Sequence, residues 1–459
     1  MSRVRFALCS RILPVIMLTA VPTALCCAGL SAIAAAFAAD PTGRPANSDP
    51  DLIRQGEYMA RAADCAACHS VRGQPPYSGG VPFDLPMGRI YSPNITPDPD
   101  HGIGHDSEEQ FARAIREGVR HDGASMYPAM PFPSYARLTD ADVHALFVYF
   151  RYGVKPLATT PPASTIIWPL SMRWPLIFWR GMFAPAPQVA LKTTRRTFPD
   201  TTIARGAYLV EGPGHCGACH TPRALTLQEK ALTAADGPLY LSGGGAVDGW
   251  HPPSLRQENR TGLGRWSEDD IVAFLREAGA PLGSAFGGMA DAVEHGTQYL
   301  TDNDLHAIAR YLRSLQPTRM PDPAWRYDPA TETALRQGDV TARGARVYVD
   351  HCAACHRDDG RGYPTVFPPL AGNPVVMDDR PDSLVAILFK GAVLPATRTA
   401  PSSFVMPSFV RSLSPQQMAD VLSFIRSAWG NDAPPVDVET VRKLTPTGGA
   451  PAIREMPLN

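Results

Sequence analysis

The chain has 459 residues, with 43 Lys and Arg against 44 Asp and Glu, for a net charge of −1. That length allows several domains of roughly 100–150 residues each, and a balanced charge without a long basic run excludes nucleic acid as the main partner. The 47 prolines favour loops and linkers over long uninterrupted elements.

Residues 1–38 read as a secretory signal peptide. Arg3, Arg5 and Arg11 precede an apolar stretch from Ile12 to Ala38, and Ala36-Phe37-Ala38 fits a small-residue cleavage site. An uncleaved anchor is the alternative, but Pro14, Pro22 and the Ala-rich end favour cleavage. Cys9, Cys26 and Cys27 would leave with the signal, so six of the nine cysteines remain in the exported protein.

A first domain is expected over 50–155. A short helix around Gln55-Gly56-Glu57-Tyr58 leads to Cys65-Ala-Ala-Cys68-His69. A middle helix follows the cap Ser107-Glu108-Glu109-Gln110, and a loop Tyr127-Pro128-Ala129-Met130-Pro131-Phe132 comes next. A closing helix opens at Thr139-Asp140-Ala141-Asp142, a capping-box pattern, and carries Val143, Leu146, Phe147 and Phe150 at helical spacing. Residues 156–199 form an aromatic, proline-rich connector. Its stretch Ile166 to Phe183 holds Trp168, Trp174, Phe178, Trp179 and Phe183 but is interrupted by Pro169, Arg173, Pro175 and Arg180. A membrane span needs about 20 predominantly apolar residues, so this stretch is better suited to a membrane surface or a partner protein. Packing between the first two domains is the simpler alternative.

A second domain over 200–317 repeats the order. Arg205-Gly206-Ala207-Tyr208 precedes Cys216-Gly-Ala-Cys219-His220, Ser267-Glu268-Asp269-Asp270 caps a middle helix, and Phe286-Gly287-Gly288-Met289 precedes the cap Thr301-Asp302-Asn303-Asp304. After a linker at 318–334, a third domain is expected over 335–430. It holds Arg343-Gly344-Ala345-Arg346-Val347-Tyr348, then Cys352-Ala-Ala-Cys355-His356, a helix from near Asp382, Val405-Met406-Pro407 and the cap Ser414-Pro415-Gln416-Gln417. Residues 431–459 read as a polar tail over the surface or a disordered end.

Cys-x-x-Cys-His is the attachment signature of haem c. Two thiols on one helical turn add across the vinyl groups, and the adjacent His can bind iron as proximal ligand. Zinc and redox dithiols also use Cys-x-x-Cys. Zinc would pair two motifs within one fold, and a dithiol does not require His at the next position three times. Six cysteines therefore assign three covalently bound haem c, with His69, His220 and His356 as axial ligands. Each is followed, after 61, 69 and 50 residues, by a loop Met. Met130, Met289 and Met406 are the candidate distal ligands, although most methionines fill gaps in cores. Met126 is the rival in the first domain. The nine remaining His read as surface or hydrogen-bonding residues. The fold class is all-α, with three tandem cytochrome c-type domains joined by proline-rich linkers. In each, Gly on the opening helix would let an aromatic of the closing helix approach closely.

Over nearly its whole length the sequence resembles the three-haem cytochrome c subunits of membrane-bound dehydrogenases. Ser92-Pro93-Asn94-Ile95-Thr96-Pro97-Asp98, Tyr127-Pro128-Ala129-Met130-Pro131, Gly214-His215-Cys216-Gly217-Ala218-Cys219-His220-Thr221-Pro222-Arg223 and Thr297-Gln298-Tyr299-Leu300-Thr301-Asp302 carry the likeness. Trp168-Pro169-Leu170-Ser171-Met172-Arg173-Trp174-Pro175-Leu176 looks like the alcohol dehydrogenase branch, and gluconate, sorbitol and fructose dehydrogenases use similar subunits. The resemblance implies a separate catalytic subunit holding pyrroloquinoline quinone or a flavin. This chain would take its electrons and reduce ubiquinone, attached peripherally to the periplasmic face of the bacterial cytoplasmic membrane. No nucleotide-binding glycine pattern follows a strand here, so catalytic residues for substrate oxidation are not expected. The competing functions are a peroxidase-like haem enzyme with an open iron and a soluble electron shuttle.

Overall fold

A computed structural model describes residues 49–194 and 196–445; the expected signal peptide and residues 446–459 lie outside the described residues. The opening helix Pro50–Ala62 starts where Asp49 accepts a hydrogen bond from the Asp51 amide and Pro50 presets the first turn. It crosses the closing helix Asp140–Val148. The same crossing recurs between Thr201–Glu211 and Asp302–Ser314, and between Ala345–His351 and Pro415–Ser427. Each contact turns on the glycine singled out from the sequence. A Cβ on Gly56 would overlap the Ala145 carbonyl and stand 2.6 Å from Tyr149 Cβ. On Gly206 it would meet Ala307 and Tyr311, and on Gly344 it would meet Asp420 and Phe424. One backbone carbonyl and the aromatic one turn later thus receive each glycine.

Middle helices fill the gap between motif and Met: Glu108–Glu117, Glu268–Glu277 and Asp382–Lys390. The first two close reciprocal capping boxes at Ser107/Gln110 and Ser267/Asp270. All three end in a residue of positive φ, Gly118, Ala278 or Gly391, which turns the chain into a short antiparallel pairing. These pairings are Val119 with Ser125, Gly279–Ala280 with Gly283–Ser284, and Ala392–Leu394 with Phe404–Met406. The chain is helix-rich, but the all-α expectation needs an amendment, because one short pairing is built into each segment and Pro82–Leu85 pairs with Gly88–Tyr91 besides.

The connector adds the third strand of that last sheet. Thr165–Ile166 pairs with Gly88–Arg89, so residues that looked like linker are laid along the first segment. Tyr127 Oη donates to the Leu170 carbonyl at 3.0 Å, and the Arg173 guanidinium covers the Tyr127 ring at 4.7 Å. The helix Leu176–Phe183 follows, with no fully buried residue. The expected tail also differs. Val438–Leu444 is a helix capped by Asp437, and Val436 and Val441 are buried against the closing helix of the third segment. Apolar residues spaced through a polar stretch were enough to bring it into the core.

Two cores result. One is continuous beneath the first and second segments and includes Met59, Leu146, Phe150, Leu209, Leu305 and Tyr311. The other belongs to the third segment and centres on Tyr348, Leu388, Leu422 and the fully buried Trp429.

Candidate haem sites

Each motif forms a single helical turn. The first is Cys65–His69; in the other two the His amide bonds back to the carbonyl of the leading cysteine, His220 to Cys216 and His356 to Cys352, both at 2.9 Å. One turn sets the two thiols on the same side with the imidazole next to them. The cysteines are free thiols, and no disulfide joins them among the described residues.

The imidazoles share one arrangement. His69 Nδ1 donates to the Pro93 carbonyl at 2.9 Å, His220 Nδ1 to Pro253 at 2.8 Å and His356 Nδ1 to Pro368 at 2.9 Å. A carbonyl can only accept, so the proton sits on Nδ1 and Nε2 keeps its lone pair. That tautomer and orientation suit a metal ligand. Burial pulls all three below the ordinary histidine range, His220 to about 4, so the rings are neutral. Burial also pushes the Cys65, Cys216 and Cys352 thiols up to about 12, which keeps them protonated and unreactive as they stand. Neutral imidazoles with a free Nε2, beside paired free thiols in apolar surroundings, fit haem c. The three acceptor prolines were missed from sequence. Their signal is a repeated Pro-x-Ile or Pro-x-Leu: Pro93-Asn94-Ile95, Pro253-Ser254-Leu255 and Pro368-Pro369-Leu370.

The three methionines are half-buried and each packs on the core of its own segment. Met130 precedes the short helix Phe132–Tyr135, and Met289 stands in the first turn of Gly288–His295. Met130 and Met289 both come five residues after the hairpin residues Ser125 and Ser284, whereas Met406 is itself the last residue of its strand. The rival Met126 is held through its backbone to the left-handed Gly118. Other histidines take hydrogen-bonding roles, such as His144 to Glu108 at 2.8 Å and His306 to Glu268 at 2.9 Å.

The first two motifs are brought together. Burial first, then Asp64, Cys65 and the Cys219 thiol of the second motif, push the Cys68 thiol up. Reciprocal bonds hold this approach. Tyr58 on the first opening helix donates to Asp304 on the second closing helix, and Tyr208 on the second opening helix donates to Asp142 on the first closing helix. Arg205 adds two bonds to Asp304, each 2.8 Å, and Arg72 pairs with Glu294 at 2.8 Å. The sequence marked Asp142 and Asp304 as capping-box residues. Thr139 and Thr301 do cap their helices, but both Asp carboxylates accept from a tyrosine of the neighbouring segment rather than from their own cap amide, with Asp142 also accepting from the Thr139 hydroxyl at 2.7 Å.

Residues 53–152 and 341–429 match the Cytochrome c family. The chain is 51% identical over 404 residues to the "Alcohol dehydrogenase (quinone), cytochrome c subunit" of Gluconacetobacter polyoxogenes, covering 88% of this chain and 86% of that one. It is 49% identical over 398 residues to the "Gluconate 2-dehydrogenase cytochrome c subunit" of Pantoea cypripedii, covering 85% and 90%. With the "Fructose dehydrogenase cytochrome subunit" of Gluconobacter japonicus the identity is 35% over 453 residues, covering 94% and 89%. The chain belongs to the family of dehydrogenase cytochrome c subunits, whose members bind haem c covalently.

Proposed function

We propose that this chain is the electron-transfer subunit of a membrane-bound alcohol dehydrogenase, or of a related sugar or sugar-acid dehydrogenase. It carries three haem c in three cytochrome c-type domains, 50–155, 200–317 and 335–430, joined by the proline-rich segments 156–199 and 318–334. Cys65 with Cys68, Cys216 with Cys219 and Cys352 with Cys355 make the thioethers. His69 with Met130, His220 with Met289 and His356 with Met406 would hold the three irons. Electrons come from a catalytic subunit holding pyrroloquinoline quinone or a flavin, and leave to ubiquinone at the periplasmic face of the membrane.

The observation that carries this reading is the threefold bond from His Nδ1 to a proline carbonyl, which aims a neutral Nε2 from beside each thiol pair. Bound haem would supply a one-electron iron couple, and a Met sulfur ligand would raise its potential and close the site to other ligands. The chain's part is to fix the imidazole, exclude water and hold the first two motifs at short range.

Membrane attachment has its own support. No helix among the described residues is long and apolar enough to cross a membrane. On the connector, Trp168 is 78% exposed, and Trp174, Phe178 and Met182 are exposed by 60–69%. Residues 156–199 contain five Lys and Arg and no Asp or Glu. Arg173 and Arg180 reach back to the Ser125 and Glu117 carbonyls, which leaves the apolar side outward, as on a segment lying in the membrane interface.

The test is a haem count with ligation. Intact mass should show three haems per mature chain, all low-spin in the oxidised resting state, and Met130→Ala, Met289→Ala or Met406→Ala should each open one site and lower its potential. Two haems in the wild type would refute the count. A high-spin wild-type haem that turns over peroxide would favour the peroxidase-like alternative for that domain.

A further inference from the structure

Two side chains between the first and second motifs have no part in ligation. Tyr135 ends the short helix that follows Met130 and is buried. Its hydroxyl donates to the Ala63 carbonyl at 2.7 Å, two residues before Cys65. His215 belongs to the second segment and immediately precedes Cys216, with φ 35 turning the chain sharply into the motif. Its ring meets the Tyr135 ring edge-on, with centroids 5.5 Å apart and planes at 78°. Burial depresses the His215 imidazole to about 4, so it is an uncharged ring.

A nearly continuous run therefore joins the two thiol pairs: Cys65, Asp64, the Ala63 carbonyl, Tyr135, His215, Cys216. It crosses one hydrogen bond and one ring contact, the His215 ring also lies against the Ala63 carbonyl itself, and every other link is covalent. Electron tunnelling decays less steeply through covalent and hydrogen bonds than across gaps. The reciprocal Tyr58–Asp304 and Tyr208–Asp142 bonds hold the ring contact at a fixed spacing from both sides.

We propose that Tyr135 and His215 are positioning residues that couple the first two haem sites electronically. The inference rests on the haem assignment above. One electron leaves the reduced group of one motif and enters the oxidised group of the other. The first is oxidised and the second reduced by one electron, and Tyr135 and His215 keep their protons throughout. The competing route is the direct approach of Cys68 and Cys219, which lies outside this run.

The experiment uses the full chain with its haems. Substoichiometric reduction by pulse radiolysis is followed optically as the electron redistributes, with haem content by mass and midpoint potentials measured on every variant. His215→Leu should slow redistribution several-fold at unchanged potentials. His215→Phe, which keeps a ring against Tyr135, should stay near the wild-type rate, and Tyr135→Phe should slow it less. A fully loaded His215→Leu chain as fast as wild type overturns the proposal and favours the Cys68–Cys219 route. Equal slowing in the Leu and Phe variants overturns it too, since the ring contact would then not matter. If His215→Leu fails to load, Tyr135→Phe decides, because it removes one oxygen and leaves the ring; an unchanged rate there overturns the run. A wild-type chain lacking haem on either motif would instead sink the site assignment.

Discussion

In the first two segments the third residue of the closing helix is Asp142 or Asp304, and each gives its carboxylate to a tyrosine of the other segment. In the third segment the same position is Gln417, which turns back to the Ser414 amide at 2.9 Å and closes an ordinary capping box. The position two residues after the crossing glycine follows suit. It is Tyr58 and Tyr208 in the pair but the exposed Arg346 in the third, whose Tyr348 bonds within its own segment to the Arg357 carbonyl. One helical frame thus makes a reciprocal interface in one place and a free face in another, by changing two side chains. The third segment meets the second through loops and a small apolar contact instead: Leu394 packs on Ala278, Ala285 and Val293, and the Arg398 amide donates to Gln298 Oε1 at 2.9 Å. The His251 amide and carbonyl bond Ser383, and Lys390 bonds the Asp248 carbonyl at 2.6 Å. The pair shares one large core, and the third segment has its own.

The strongest way to break that comparison is to withhold a haem. Cys352→Ala with Cys355→Ala should remove the third haem only, and the first two sites should keep theirs with unchanged spectra. Cys216→Ala with Cys219→Ala should remove the second haem and also loosen the first segment, because the two share one core. Haem count and protease sensitivity of each segment distinguish the outcomes. Equal, local effects from both variants would deny the paired unit.

A smaller effect is expected at Glu229. Its Oε2 has no hydrogen-bond partner among the described residues, and a Cβ on Gly217 of the second motif would stand 2.7 Å from it. Burial pushes this carboxyl from 4.5 up to about 7. The folded chain therefore binds the proton more tightly than the unfolded one. The associated stability is complete below about pH 4.5 and is lost as pH rises through 7, by roughly 3 kcal/mol at most. Glu229→Gln should flatten the stability of the paired unit over that window. Beside the third motif, Asp359 is already paired with Arg357 at 2.8 Å, so that segment lacks this buried, unpaired carboxyl. Unfolding curves of wild type and variant at several pH values between 4.5 and 8 make the check, and parallel curves would refute it.

Tyr208→Phe and Tyr58→Phe should each cost about 1.5–3 kcal/mol, the range for a hydrogen bond to a charged acceptor. Unfolding of the paired unit reads it. Tyr348→Phe removes a bond to a neutral carbonyl inside the third segment and should leave the pair untouched.

How much of this was legible beforehand follows from what each feature depends on. The crossing glycines, the middle helices and their Ser caps are set by residues close in the chain, and the sequence showed them. The Pro93, Pro253 and Pro368 carbonyls lie 12–33 residues from their histidines, so only the fold reveals the bond although the Pro-x-Ile/Leu pattern was in view. Asp142 and Asp304 satisfied a local pattern that masked their partners 66 and 246 residues away. Thr165–Ile166 is too short to read as a strand without Gly88–Arg89 beside it.

The smallest effect on the fold, with the clearest effect on location, is expected in the connector. Its aromatic residues divide into two sets. Trp179 packs edge-on against the buried Phe132 at 6.0 Å and donates Nε1 to the Thr226 carbonyl at 2.8 Å, so it ties the connector to both members of the pair. Trp174, just before the helix, and Phe178 and Met182 on one face of it are spaced four residues apart and point to solvent. Changing those three to Ser removes little buried area, so haem content and unfolding midpoint should stay within error of wild type. If the face lies in the membrane interface, the loss of three large apolar groups should shift the folded protein from the membrane to the soluble fraction. Trp179→Ser should do the reverse, lowering stability while the outward face keeps its membrane affinity. Fractionation and thermal unfolding of both variants separate the two roles. A folded triple variant that stays on the membrane would assign attachment to another surface, and a triple variant that loses stability would show that this face is packed.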